Sequence, residues 1–223
     1  MRDYTLTRTN RKTIGLYIRD GYLEIRAPHR TPVSEIDKFV ALKEEWIEKY
    51  LAESKERVAK RDAFTLTYGD KVTFLGKQFP IVGKPGNMAG FDVLSFYMPP
   101  GLQPEEIKYY CMTTYRMFAE RYLTEKALYF AEEMEVSPAV IRISNAKKNW
   151  GSCSAKKSIC FSWMLMMADV ETIDYIIVHE LAHLIEHNHS ERFWAIVEEF
   201  VPNYKEQQAK LKELSIKLSY ENW

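Results

Sequence analysis

One run of the chain limits its folding choices more than any other: Val178-His179-Glu180-Leu181-Ala182-His183-Leu184-Ile185-Glu186-His187-Asn188-His189-Ser190. Four of the five histidines fall in it, and only His29 lies elsewhere. On a helix, His179 and His183 stand one turn apart and point the same way. Two imidazoles on one face occupy two corners of a tetrahedral zinc site, and the adjacent Glu180 reaches a water held there. His189 follows six residues after His183, past the expected helix end, where the chain can turn back and bring a third ligand. Three protein ligands and one open position describe a catalytic zinc site rather than a structural one. The preceding Ile173-Asp174-Tyr175-Ile176-Ile177-Val178, continued by Leu181 and Leu184, gives the same helix an apolar back. A buried helix with incidental histidines is the competing reading, and it would need polar partners for these side chains inside a core.

The run His179-Glu180-Leu181-Ala182-His183, then Asn188-His189-Ser190, then Arg192-Phe193-Trp194 resembles the YgjP-like family of metal-dependent hydrolases, relatives of the SprT-like and minigluzincin-type zinc metallopeptidases. Two further blocks carry the resemblance across nearly the whole chain. These are Trp150-Gly151-Ser152-Cys153-Ser154 with Ile159-Cys160-Phe161, and Arg11-Lys12-Thr13 ahead of a hairpin ending in Arg26-Ala27-Pro28. The resemblance implies zinc, one ion per chain, with His179, His183 and His189 as ligands. It selects His189 over its neighbour His187 through the Asn188-His189-Ser190 triplet. Two positions depart from the family pattern: Asn149 and Met164 stand where arginine is usual.

Zinc lowers the pKa of a coordinated water to ~7, and Glu180 would take its proton and pass it to the leaving group. A stabiliser of the developing oxyanion is also needed, with Lys148, Asn149 and Tyr204 as candidates among which the sequence does not choose. Trp150 and Gly151 would set a strand edge along the cleft, where an extended peptide binds by strand addition and glycine permits close backbone approach. The alternative makes Trp150 a core anchor and Gly151 a bulge. The reading ranked first is a zinc-dependent peptidase-type hydrolase. A metal-dependent nucleoside triphosphate pyrophosphatase, an activity the resemblance also implies, is the second. A non-catalytic zinc-binding module is the third, and Glu180 argues against it, since a structural site needs no base.

Composition narrows the partners. Lysine plus arginine equals aspartate plus glutamate, so no global field draws nucleic acid or membrane. Nucleic acid is therefore disfavoured as a partner. Between Val136 and Ala168 there is no acidic residue, while Arg142, Lys147, Lys148, Lys156 and Lys157 are present. That stretch reads either as a lysine-protected strand edge or as a basic wall suited to a phosphate-bearing substrate. The three cysteines, Cys111, Cys153 and Cys160, form no C-x-x-C and suggest free thiols in a reducing compartment. The N-terminal residues lack an apolar signal region, and a soluble, cytoplasmic protein is expected.

The expected architecture is α+β: a β-rich N-terminal region over 1–100 with one helix, then a zincin-like catalytic domain over 101–223 with a small sheet packed on helices. Asp20-Gly21 marks a hairpin over 13–27. A helix with a capping box at Ser34-Glu35-Ile36-Asp37 is predicted to run to about Arg61. Strands are predicted over 64–68, 71–75, 78–82 and 91–97, with Pro99-Pro100-Gly101 as the boundary. A long helix over 104–135, strands over 140–144, 150–154 and 158–163, the metal helix over about 170–186, a helix over 191–200 and a last helix after Pro202 follow.

Overall fold

The computed structural model describes residues 3–223. Among them are six α-helices and ten strands in three small sheets, an α+β architecture. They form two compact units: residues up to Phe64 with Lys217–Asn222, and Thr65–Ile216 with Trp223.

In the first unit β1 (Thr5–Thr9), β2 (Gly15–Arg19) and β3 (Tyr22–Pro28) form a sheet in the order β1-β3-β2. The Asp20-Gly21 turn joins β2 to β3 with both residues in the left-handed region, at φ 48° and 82°, as a tight antiparallel hairpin requires. Alternation then sorts β3: Leu23, Ile25 and Ala27 are buried, while Glu24 and Arg26 face outward. The buried face packs on α1 (Val33–Leu42) and α2 (Glu44–Ala63) through Ile36, Val40 and Ile47. The single helix predicted here is thus two, interrupted at Lys43 (φ −105°, ψ 16°). The predicted capping box is absent as well: Pro32 precedes the first turn and no side chain caps it. β1, which the sequence leaves unassigned, pairs in parallel with β3.

The second unit begins with β4 (Lys71–Phe74), β5 (Lys77–Gly83), β6 (Gly90–Phe91) and β7 (Phe96–Met98), in the order β4-β5-β7-β6. Residues 64–68 are not a strand, because the backbone turns at Thr67, whose N–H and hydroxyl both donate to Asp70 Oδ2. The expected strand over 91–97 is split by a turn in which Asp92 Oδ1 accepts from the N–H groups of Leu94 and Ser95 at 3.2 and 2.9 Å. The long helix α3 (Pro104–Glu133) starts on a capping box between Gln103 and Glu106. Its Tyr115 and Phe118 pack into a ring cluster with Phe74, Phe91 and Phe96. That aromatic packing joins β4–β7 to α3, so the division between units falls at Phe64 and not near Gly101.

The remaining elements build the site. β8 (Val140–Ser144), β9 (Gly151–Cys153) and β10 (Ser158–Ser162) form a sheet in the order β8-β10-β9, with β9 on the edge. A 3₁₀ segment, Trp163–Met167, buries every one of its side chains, Met164 included. It leads to α4 (Val170–Ala182), capped by Asp169, whose carboxylate accepts from Thr172 N–H at 2.8 Å. Gly76, at φ 76°, lets the β4–β5 turn approach this cap: a Cβ there would lie 2.9 Å from Asp169 Cβ. Nearly all of α4 is buried, with Ile173, Ile177, Val178, Leu181 and Ala182 at 0% exposure. Full burial of one such branched side chain is worth about 1.5–3 kcal/mol, which locks the helix in the core. α5 (Glu191–Phe200) and α6 (Tyr204–Leu218) close the unit. Among the described residues no helix is long and apolar enough to cross a membrane.

The Asp92 turn gives a pH test. A contact with the Lys84 ammonium, aided by the Leu94 and Ser95 N–H groups, holds the Asp92 carboxyl down at about 2, against 3.8 ordinarily. A depressed folded-state pKa stabilises the fold above 3.8 and loses that contribution as pH falls through about 2. Asp92→Asn should therefore lower the thermal midpoint at about pH 7, and the gap from wild type should close by about pH 2.

Candidate metal centre

α4 ends at Ala182, one turn earlier than the expected 186, and His183 is its C-cap. The chain then turns: Leu184 N–H donates to Leu181 O, and Ile185 and Glu186 N–H both donate to Ala182 O. Ser190 restarts a helix, its hydroxyl accepting from Phe193 N–H at 3.3 Å. Between these two caps the chain reverses and carries His189 back over α4.

The three imidazoles meet. Ring centroids of His179, His183 and His189 are 5.0, 5.0 and 4.8 Å apart, almost an equilateral triangle. One nitrogen from each lies within 4.8 Å of the others. His179 Nε2 and His189 Nε2 are 3.2 Å apart. Two nitrogens bound at 2.0–2.1 Å to a tetrahedral zinc stand about 3.3 Å apart, so the spacing fits such an ion. His187 remains outside the triangle but lines the same cleft, a hollow of about 580 Å³ with Gly151, Cys153, Ala155 and Glu180 on its wall.

Proton positions suit a metal. His183 Nδ1 is 3.2 Å from the Glu186 carbonyl, which only accepts, so Nδ1 carries the proton and Nε2 keeps its lone pair. His179 Nδ1 lies 3.5 Å from Tyr175 Oη, which in turn accepts from Gln208 Nε2 at 3.1 Å. When Nδ1 of His179 carries the proton and donates to Tyr175 Oη, a lone pair on Nε2 likewise faces the triangle. Burial, then the neighbouring His183 and His189, push His179 down to about 3, and burial lowers His183 as well. Both shifts favour the neutral imidazole, the form that ligates.

Aromatic rings hold the triangle from below. Phe193, fully buried, has its centroid 4.9, 4.6 and 4.7 Å from those of His179, His183 and His189. Trp194 stacks on His189 at 5.6 Å, and Tyr204 stacks on Trp194 at 5.1 Å. Glu180 is buried beside the cleft, and burial raises its carboxyl to about 7. Burial, then the neighbouring Glu180, push the Cys153 thiol up.

The other residues singled out in the sequence lie elsewhere. Of the substrate candidates Lys148, Asn149, Trp150, Gly151 and Tyr204, only Gly151 lines the cleft. Lys148 and Asn149 are exposed ahead of β9. Trp150 donates from Nε1 to Ser215 Oγ on α6 at 3.1 Å, which makes it an anchor for the strand. Tyr204 is buried behind Trp194. Phe193, Trp194, Tyr175 and Gln208 support the triangle, a part that sequence reasoning does not assign to them. Phe193 and Trp194 sit in the Arg192-Phe193-Trp194 block, and Tyr175 stands four residues before His179, so these three carry a visible signal.

A family model for the YgjP-like metallopeptidase domain matches residues 12–214. The chain belongs to the YgjP-like family. The family places a metallopeptidase-type domain on this chain, with a three-histidine group able to hold a divalent ion. No curated protein matches the chain. Among solved structures it is similar to the metallopeptidase zymogen of Pyrococcus abyssi abylysin, at 26% identity over 40% of this chain and 90% of that one, TM-score 0.37. It is also similar to the metallopeptidase zymogen of Methanocaldococcus jannaschii jannalysin, at 23% identity over 41% and 94%, TM-score 0.37.

Zinc titration separates the imidazoles. His189→Ala should weaken zinc binding on the order of 100-fold or more, and Tyr175→Phe about 10-fold through the lost contact to Nδ1. His187→Ala should leave the affinity unchanged.

Proposed function

We propose that this YgjP-like chain is a zinc-dependent hydrolase of the peptidase type, cleaving a peptide bond in an extended substrate. The observation that carries the reading is the pairing of the three-imidazole triangle with an edge strand: β9 runs along the cleft wall that also holds Glu180.

His179, His183 and His189 would hold the ion. When bound there, zinc supplies Lewis acidity, making water nucleophilic near neutral pH and polarising a carbonyl oxygen. Among the described residues Glu180 is the only carboxylate on the cleft wall. It takes the proton of the attacking water and delivers it to the leaving amine, so it ends the cycle as it began.

β9 would hold the substrate. In the antiparallel pair with β10, Ser162 N–H donates to Trp150 O and Ser154 N–H to Ser158 O. Alternation then turns the main-chain groups of Gly151 and Cys153 away from β10, toward the open edge. An extended peptide adds there by main-chain hydrogen bonds, which read backbone and not side chains.

A phosphate-bearing substrate such as a nucleoside triphosphate is the second reading. Lys156 and Lys157 in its favour sit in the β9–β10 turn, directly after Ala155 on the cleft wall. The peptide is preferred because the strand edge is a part of the cleft and the lysines flank it.

Zinc-loaded wild type and Glu180→Gln should be compared on an unfolded-protein digest and on a panel of nucleoside triphosphates. Peptide cleavage that drops at least about 100-fold in Glu180→Gln supports the proposal. Triphosphate hydrolysis that vanishes in the variant, with the digest untouched, replaces it by the second reading.

A further inference from the structure

We infer that Gly151 is the positioning residue for Glu180: the missing side chain at 151 is the space in which the carboxylate arm is seated. This deepens the proposed function and rests on Glu180 as its proton carrier.

The contact is direct. A Cβ built on Gly151 would stand 2.6 Å from Glu180 Cγ, 2.6 Å from Oε1 and 2.8 Å from Cδ. Carbon pairs prefer 3.5–4.0 Å, so alanine and the present Glu180 conformation exclude one another. The collision involves Cγ as well as the carboxylate, so a turn of the terminal group alone does not relieve it.

Neither partner can retreat at small cost. Glu180 rides on α4, whose Ile176, Ile177, Val178, Leu181 and Ala182 are all buried. β9 is fixed to β10 across Gly151–Phe161, Ser152–Cys160 and Cys153–Ile159. Just before it, Trp150 accepts from Ser162 N–H at 2.9 Å and donates from its indole to Ser215. The strand therefore presses Glu180 from one side while the helix fixes it from the other.

The glycine is not there for its backbone. Five glycines of the chain occupy the left-handed region, and Gly151 is not among them. Its backbone angles are open to alanine, so what excludes a side chain is the space Glu180 fills. In the β9 alternation Gly151 and Cys153 face α4 together, and the Cys153 thiol feels the Glu180 charge. One three-residue strand thus offers its edge to substrate and its face to the base, tying the register of the bound chain to the position of the carboxylate.

A mutant cycle tests this with and without turnover. Thermal midpoints and zinc affinity are measured for wild type, Gly151→Ala, Glu180→Ala and the double variant. Gly151→Ala should lower the midpoint when Glu180 is present and should not when Glu180→Ala has emptied the space, with zinc affinity unchanged in both. An equal drop in both backgrounds overturns the inference, because the side chain at 151 would then be clashing with something else. On the peptide substrate, Gly151→Ala should lower kcat about 100-fold with KM little changed, and should add no loss in a Glu180→Gln background. A loss confined to KM, or one that multiplies with Glu180→Gln, also overturns it. Should Glu180→Gln leave hydrolysis intact, the proposed role of Glu180 fails, while the thermal cycle still decides whether Gly151 seats it.

Discussion

The site depends on one packing arrangement: three imidazoles resting on the buried ring of Phe193. Metal ligands are useful only if their lone pairs converge, and imidazoles left to themselves rotate about two side-chain bonds. Here the rotation is removed from below by Phe193, nearly equidistant from all three rings, and from the side by Trp194 stacked on His189. The outer nitrogens of two rings are tied down as well, His183 by the Glu186 carbonyl and His179 by Tyr175. Preorganisation of this kind is built from apolar burial and hydrogen bonds, before any ion adds its own binding energy.

That arrangement also settles the electrostatics. Burying two histidines and a glutamate among apolar neighbours is costly in their charged forms, and each responds by shifting toward neutrality: the imidazoles downward, the carboxyl upward. The same desolvation that would weaken a fold under an ordinary charge therefore prepares neutral ligands and a carboxyl near the middle of the pH scale. The bland alternative, a core helix with incidental polar groups, predicts partners that satisfy those groups internally. Instead the groups face a cleft and one another.

Much of this was legible along the chain, because the signals are local. Asp20-Gly21 marks its hairpin, the 191–200 helix falls on its predicted bounds, and the spacing of His179 and His183, with the family resemblance choosing His189 over His187, points to the three rings that meet. What stayed hidden depends on partners distant in sequence. The helix break at Lys43 and the early end of α4 involve neither glycine nor proline. β1 pairs in parallel with β3, the far strand of the hairpin that follows it, which no local pattern encodes. A strand edge at Gly151 is readable in the sequence, but its neighbour is Glu180, a residue that only the packing of β9 on α4 brings near. From sequence Trp150 reads equally as cleft wall or anchor, and its bond to Ser215 makes it the anchor.

The central claim, that three imidazoles and no other side chain hold the ion, is most directly tested by X-ray absorption at the zinc edge of the loaded protein. The account predicts three imidazole nitrogens at about 2.0–2.1 Å, completed by a light oxygen scatterer. A sulfur scatterer at about 2.3 Å, which would bring Cys153 into the sphere, or a shell with only two imidazoles, would contradict it.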